Sequence, residues 1–89
     1  MVTKYLKDEL AKHGVTPKDA DFVLRSQISI WEDMGPSKHG NDRLMFVGFS
    51  AGGRLLEVAV EYFDEEDIEL VFHANDATPK YKKLFEGIR

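Results

Sequence analysis

The chain has no cysteine, which excludes a disulfide frame and any thiolate-based zinc site. It also lacks an excess of positive charge. Twelve Lys and Arg stand against sixteen Asp and Glu, a formal net charge of −4. Strong nonspecific attraction to nucleic acid rests on a basic surface, so a nucleic-acid contact here needs a local basic patch. No apolar stretch approaches the ~20 residues of a membrane span, and no contact with a membrane is expected. The opening Met1-Val-Thr-Lys-Tyr-Leu-Lys-Asp-Glu carries charges where a signal peptide needs an apolar run, so the expected location is the cytoplasm. The three histidines are scattered without metal-ligand spacing. Neither a metal nor another cofactor is therefore expected. No repeat, linker or low-complexity segment is present.

What is present describes one small domain over residues 1–89, with 43% hydrophobic and 31% charged residues. Val2, Tyr5, Leu6 and Leu10 recur at helical spacing and predict a first helix. Gly14 reads as its C′ stop, with Val15 placed to touch Leu10 as in a Schellman ending. Thr16, Pro17 and Asp19 then open a second helix as N-cap, first residue and third residue. Its inner face is Ala20, Val23, Leu24 and Gln27. Four strands are predicted next. Ile28-Ser-Ile-Trp-Glu alternates with period two, and Leu44–Phe49 and Leu55–Phe63 are near-continuous apolar runs. In Ile68-Glu-Leu-Val-Phe-His-Ala, strict alternation puts Ile68, Leu70 and Phe72 on one side and Glu69, Val71 and His73 on the other. Thr78-Pro79 repeats the capping device, and Tyr81, Leu84, Phe85 and Ile88 form an apolar stripe.

The expected class is α+β: two N-terminal helices, an antiparallel sheet of three to four strands, and a C-terminal helix packed on it. All helices are expected on one sheet face. The other face, carrying Glu57, Glu61 and His73, is expected to be partly wet. Trp31 and the phenylalanines are assigned to the core.

Ser50-Ala51-Gly52-Gly53 joins the two longest strand runs, and the glycine pair supplies the positive φ of a tight hairpin. Arg43 and Arg54 flank the two runs at opposite ends of the pair, and each is a candidate to hold phosphate. Each also has a plainer reading. Arg54 pairs with Glu57 or Glu61, and Arg43 forms a strand-edge charge pair after Asp42. His73 and His13 are candidates to move protons near neutral pH. Their plainer readings are a half-exposed sheet residue and a helix C-terminal cap. Asp64-Glu65-Glu66-Asp67 reads as a solvated hairpin tip, and Lys80, Lys82, Lys83 and Arg89 as the wet face of the last helix.

Several short stretches resemble one family in order and spacing. They are Lys12-His13-Gly14-Val15, then Thr16-Pro-Lys-Asp-Ala20, Glu32-Asp33, Gly40 to Arg43, Gly48 and Ser50, and Gly52-Gly53-Arg54-Leu55-Leu56. Ala74 and Ala77-Thr78 follow before the final helix. Together they resemble the BrnT family of bacterial toxins across most of the chain. The resemblance implies a RelE-like fold and a ribonuclease that acts without metal. It also implies a cognate antitoxin, BrnA-like and encoded beside it, through which alone DNA is contacted. Three departures stand out. Ser37 lies about where the family has a loop histidine, with His39 two residues on. The final strand ends His73-Ala74-Asn75 where the family has serine-alanine-arginine. Met1-Val-Thr-Lys is too short and polar for the family's opening strand.

Under this resemblance RNA is the substrate, and cleavage needs a base, a cation and an acid. Arg54 and Arg43 are the candidate cations, and His73 and His13 the candidate proton carriers. Three readings remain open: an active toxin, an inactive toxin-fold protein that acts by binding a partner, and an unrelated interaction domain.

Overall fold

A computed structural model describes residues 1–88, with side chains through residue 87. The elements are β1 (Val2–Tyr5), α1 (Lys7–Ala11), α2 (Pro17–Arg25), β2 (Ile30–Asp33), β3 (Arg43–Phe49), β4 (Leu55–Phe63), β5 (Ile68–Asp76) and α3 (Pro79–Ile88). The class is α+β. The strands form one five-stranded mixed sheet in the order β1-β5-β4-β3-β2. Three parts of the expectation need correction.

The first is the chain start. Residues Val2–Tyr5 are a strand, paired in parallel with Ile68–Val71. The first helix begins only at Lys7. Leu6 N–H donates to the Val71 carbonyl at 2.9 Å, and Val2 N–H to the Asp67 carbonyl at 2.8 Å. The helical spacing of Val2, Tyr5 and Leu6 is overridden because the edge of β5 offers these backbone groups partners. The short α1 ends as its sequence implies. Val15 N–H reaches the Leu10 carbonyl, Gly14 N–H reaches that of Ala11, and Gly14 has φ +67°. Thr16 then caps α2 in a reciprocal box. Its hydroxyl accepts from Asp19 N–H, and the Asp19 carboxylate accepts from Thr16 N–H, both at 3.1 Å. Gln27, expected on the inner face, lies past the end of α2 and is exposed.

The second correction concerns layers. Helices cover both faces of the sheet. Leu10, Val15, Ala20 and Val23 of the α1–α2 region pack on Leu56, Val58, Val60, Val71 and Ala74. Phe85 and Tyr81 of α3 pack with Met45, Val47, Ala59 and Leu55. Alternation along β4 feeds the two cores in turn, which is why its run is apolar except at Glu57 and Glu61. Gly48 permits close approach from the α2–β2 turn, since a Cβ there would lie 2.0 Å from the Ser29 hydroxyl. The side chain of Ile88 and all of Arg89, assigned above to the stripe and the wet face, lie outside the described residues.

The third correction is the aromatic set. Trp31 is 61% exposed and Phe22 47% exposed. Trp31 pairs across from Phe46. It stands on the four-residue edge strand, one strand beyond the β3–β4 surface on which α2 packs. The charged β4–β5 connection is a single 3-10 turn with exposed acids, and Asp67 there adopts a left-handed φ of 56°.

Candidate functional site

Arg43 and Arg54 lie at opposite ends of the β3–β4 hairpin, as the turn geometry requires. Arg43 stands opposite Glu61 in the ladder, whereas the other end closes at Phe49 and Leu55 beside Arg54. Arg43 donates to the carbonyls of Gly35 and Met34, both at 3.1 Å. It ties down the loop before β3. Glu61 beside it accepts from the Asn41 amide at 3.0 Å. Burial raises the Glu61 carboxyl, but bonds from Asn41 and Ser37 outweigh that and hold it below the usual range.

The structure brings Arg54, His13 and His73 to one end of the molecule. The turn before Arg54 is held by Ser50 N–H on the Arg54 carbonyl at 2.9 Å and by Gly53 at φ +85°. The Arg54 side chain reaches back to the end of α1. Nε donates to Asp76 at 2.5 Å, one terminal nitrogen to the Gly14 carbonyl at 2.9 Å, and the other to the His13 carbonyl at 2.7 Å. Neither expected partner, Glu57 or Glu61, is used. Asp76 raises the Arg54 guanidinium, and Arg54 in turn lowers the Asp76 carboxyl. Three of the five guanidinium N–H groups are thus accounted for. Their work is to fasten the loop that carries His13.

His73 reaches the site through an irregularity in β5. Ala59 pairs with His73, but its neighbour Val60 pairs with Val71, so Phe72 is an extra residue. Opposed residues share a sheet face. The bulge therefore moves His73 off the Glu69–Val71 face and onto the face of Ala59 and Glu57. Its expected place on the face of Glu57 and Glu61 holds, whereas strict alternation within β5 had grouped it with Glu69 and Val71.

On that face Glu57 is 4% exposed. Its two oxygens have separate partners. Oε2 lies 3.0 Å from His73 Nε2, and Oε1 accepts from Thr78 N–H at 2.7 Å. The His73 side chain is 35% exposed. Its ring meets the exposed ring of His13 edge-on, with centroids 6.0 Å apart. The expected wet face is dry at Glu57, because the start of α3 covers it. Two imidazoles, one backed by a buried carboxylate, stand beside a braced arginine. Such a group of residues has the donors and acceptors that general acid–base chemistry needs.

Sequence reading missed Glu57, Asp76 and Thr78 as parts of this site. Glu57 had a legible signal, since it is the one charge inside the apolar run Leu55–Val60. Asp76 had none, because its role depends on a contact 22 residues away.

A second buried carboxylate lies under α2. Glu69, 6% exposed, accepts from the Thr3 hydroxyl at 2.6 Å and from the Arg25 guanidinium. Arg25 also meets Asp21 at 3.2 Å. Burial raises the Glu69 carboxyl, but the Thr3 and Arg25 bonds outweigh it, and the net shift is downward.

No protein-family model matches the chain, and no curated protein matches it.

Proposed function

We propose that this chain is the toxin of a bacterial type II toxin–antitoxin pair: a metal-independent ribonuclease neutralised by a BrnA-like antitoxin. The resemblance described above supplies the class. The observation that carries the chemistry is the pair of imidazoles of His13 and His73, 6.0 Å apart and open to solvent. In this reading one imidazole takes the proton of an RNA 2′-hydroxyl. The 2′ oxygen attacks phosphorus, and the bond to the 5′ oxygen breaks. The other imidazole, protonated, gives its proton to that oxygen. The products are a 2′,3′-cyclic phosphate and a 5′-hydroxyl. Arg54 braces His13, and its two remaining N–H groups are those a phosphate would have to use. Arg43 stands apart and serves the β3 entry.

A second reading has a specific observation in its favour. Arg54 is directed at Asp76 and two carbonyls, and Arg43 at two more carbonyls. Neither candidate cation is left unengaged to meet a phosphorane. That arrangement suits a toxin-fold protein that has lost catalysis and acts by binding its partner.

Cleavage of a generic RNA in EDTA separates the two. Wild type should cleave, and His73→Ala and His13→Ala should each lose about 10²–10⁴-fold, the usual worth of a proton-transfer group. An inert wild type that still co-purifies with the product of the adjacent gene supports the second reading. Equal cleavage by all three proteins removes both histidines from the site.

A further inference from the structure

We infer that Glu57 is a positioning residue that holds His73 as its Nε2–H tautomer and so leaves Nδ1 as the nitrogen that takes a proton. The role as base rests on the ribonuclease reading. The tautomer does not.

The argument is one of donors and acceptors. Thr78 N–H is a fixed donor, and it occupies Glu57 Oε1 at 2.7 Å. That leaves Oε2 for His73, at 3.0 Å from Nε2. A carboxylate only accepts, so Nε2 must carry the hydrogen. A neutral imidazole carries one hydrogen, so Nδ1 holds the lone pair. The carboxylate is itself held at both ends. It sits on the central strand β4, opposite Asn75 in the β4–β5 ladder and Val47 in the β3–β4 ladder. It is 4% exposed, so water competes little for its oxygens. The ring it holds is 35% exposed, which leaves Nδ1 a route to a substrate hydroxyl. His13, braced through its own carbonyl by Arg54, completes the pair as the proton donor to the leaving oxygen.

The same reasoning inverts cleanly in Glu57→Gln. The side chain is nearly isosteric, and Thr78 N–H still needs an acceptor. The amide oxygen must therefore stay at Thr78, which turns the NH₂ toward His73. Nε2 then has to accept, and the ring hydrogen moves to Nδ1. The variant should keep the fold and reverse the tautomer.

Nitrogen-resolved imidazole NMR on the full chain tests this, read at a pH at which the His73 nitrogen signals themselves show the neutral ring. Wild-type His73 should show the Nε2–H pattern and Glu57→Gln the Nδ1–H pattern. The His39 pattern, in a distant loop, should not move. An Nδ1–H pattern in wild type overturns the inference even if the variant fails to fold. The same tautomer in both proteins also overturns it. RNA cleavage is read in parallel. With Nδ1 no longer a base, Glu57→Gln should lower kcat about 10²–10⁴-fold with KM unchanged. A tautomer reversal with no cleavage by wild type sustains the positioning role and removes the ribonuclease reading. Cleavage by wild type without a reversal does the opposite.

Discussion

Two glutamates are buried in this sheet on opposite faces, and they are neutralised in different ways. Glu69 lies under α2 against Arg25, a cation at every physiological pH, with Thr3 on the same oxygen. Glu57 lies under the start of α3 against a backbone N–H and an imidazole. An imidazole gains and loses its charge near neutrality. The first arrangement is closed. Thr3 and Arg25 meet on one Glu69 oxygen, and the contacts join α2 to β5 and β1. The second leaves one ring nitrogen uncommitted and faces a second histidine. Burial of a carboxylate therefore does not mark a site by itself. The partner decides whether the group holds the fold or does chemistry.

Removing the fixed cation should have the largest effect. Arg25→Ala leaves Glu69 buried with only the Thr3 hydroxyl, at an expected cost of about 2–3 kcal/mol, at or below the low end for a broken buried pair. The discount reflects an Arg25 side chain that is 53% exposed. His73→Ala at the other carboxylate should cost about 1 kcal/mol, since water can enter beside Glu57. Urea unfolding at neutral pH measures both, and a reversed order would break the contrast.

The pH dependence comes next in size. The Glu69 carboxyl is held below its ordinary value in the folded state. Its stabilisation is therefore fully present above the unfolded carboxylate range, about pH 4–5, and is lost as pH falls through the lower folded value. Glu69→Gln should begin about 1–2 kcal/mol less stable at neutral pH and lose less on acidification. Urea midpoints followed into acid check this, and parallel curves for the two proteins would refute the assignment.

Arg54→Lys should cost about 1 kcal/mol, because an ammonium cannot span a carboxylate and two carbonyls as the guanidinium does. The His13 ring resonances should shift with it. Unshifted resonances would mean that His13 is held by something else. Lys83→Ala, on the exposed side of α3, should change stability by less than about 0.5 kcal/mol. A larger change would mean that the helix surface is not the solvated face assigned to it.

Local chemistry was legible in the sequence, and distant pairing was not. Gly14, Thr16-Pro17 and Gly53 act within a few residues of themselves, and each behaves as its residue type implies. The hairpin between Phe49 and Leu55 was legible for the same reason. Val2–Tyr5 was not, because its conformation is set by Ile68–Val71, far along the chain. The bulge at Phe72 was hidden because no glycine marks it, and it alone decides which face His73 takes. The candidate site inherited both problems. His13, His73 and Arg54 could be named singly, but the contacts that join them cross from α1 to β4 and from β4 to β5. Exposure of Trp31 was equally hidden, since nothing in Ile30-Trp-Glu-Asp says that no further strand lies beyond it.

The parallel pairing of β1 with β5 also sets an order of events in synthesis. Strand β1 leaves the ribosome well before its sheet partner, with the Thr3–Glu69 bond closing a separation of 66 residues. The hairpins β2–β3 and β3–β4 can form as they emerge, but β1 must wait unpaired until Ile68–Val71 is released. A chain arrested before that point holds an exposed N-terminal segment and an incomplete core. The histidine pair, which needs both α1 and the bulge in β5, then does not exist. Whatever activity this site has is thus withheld until β5 has been made and paired.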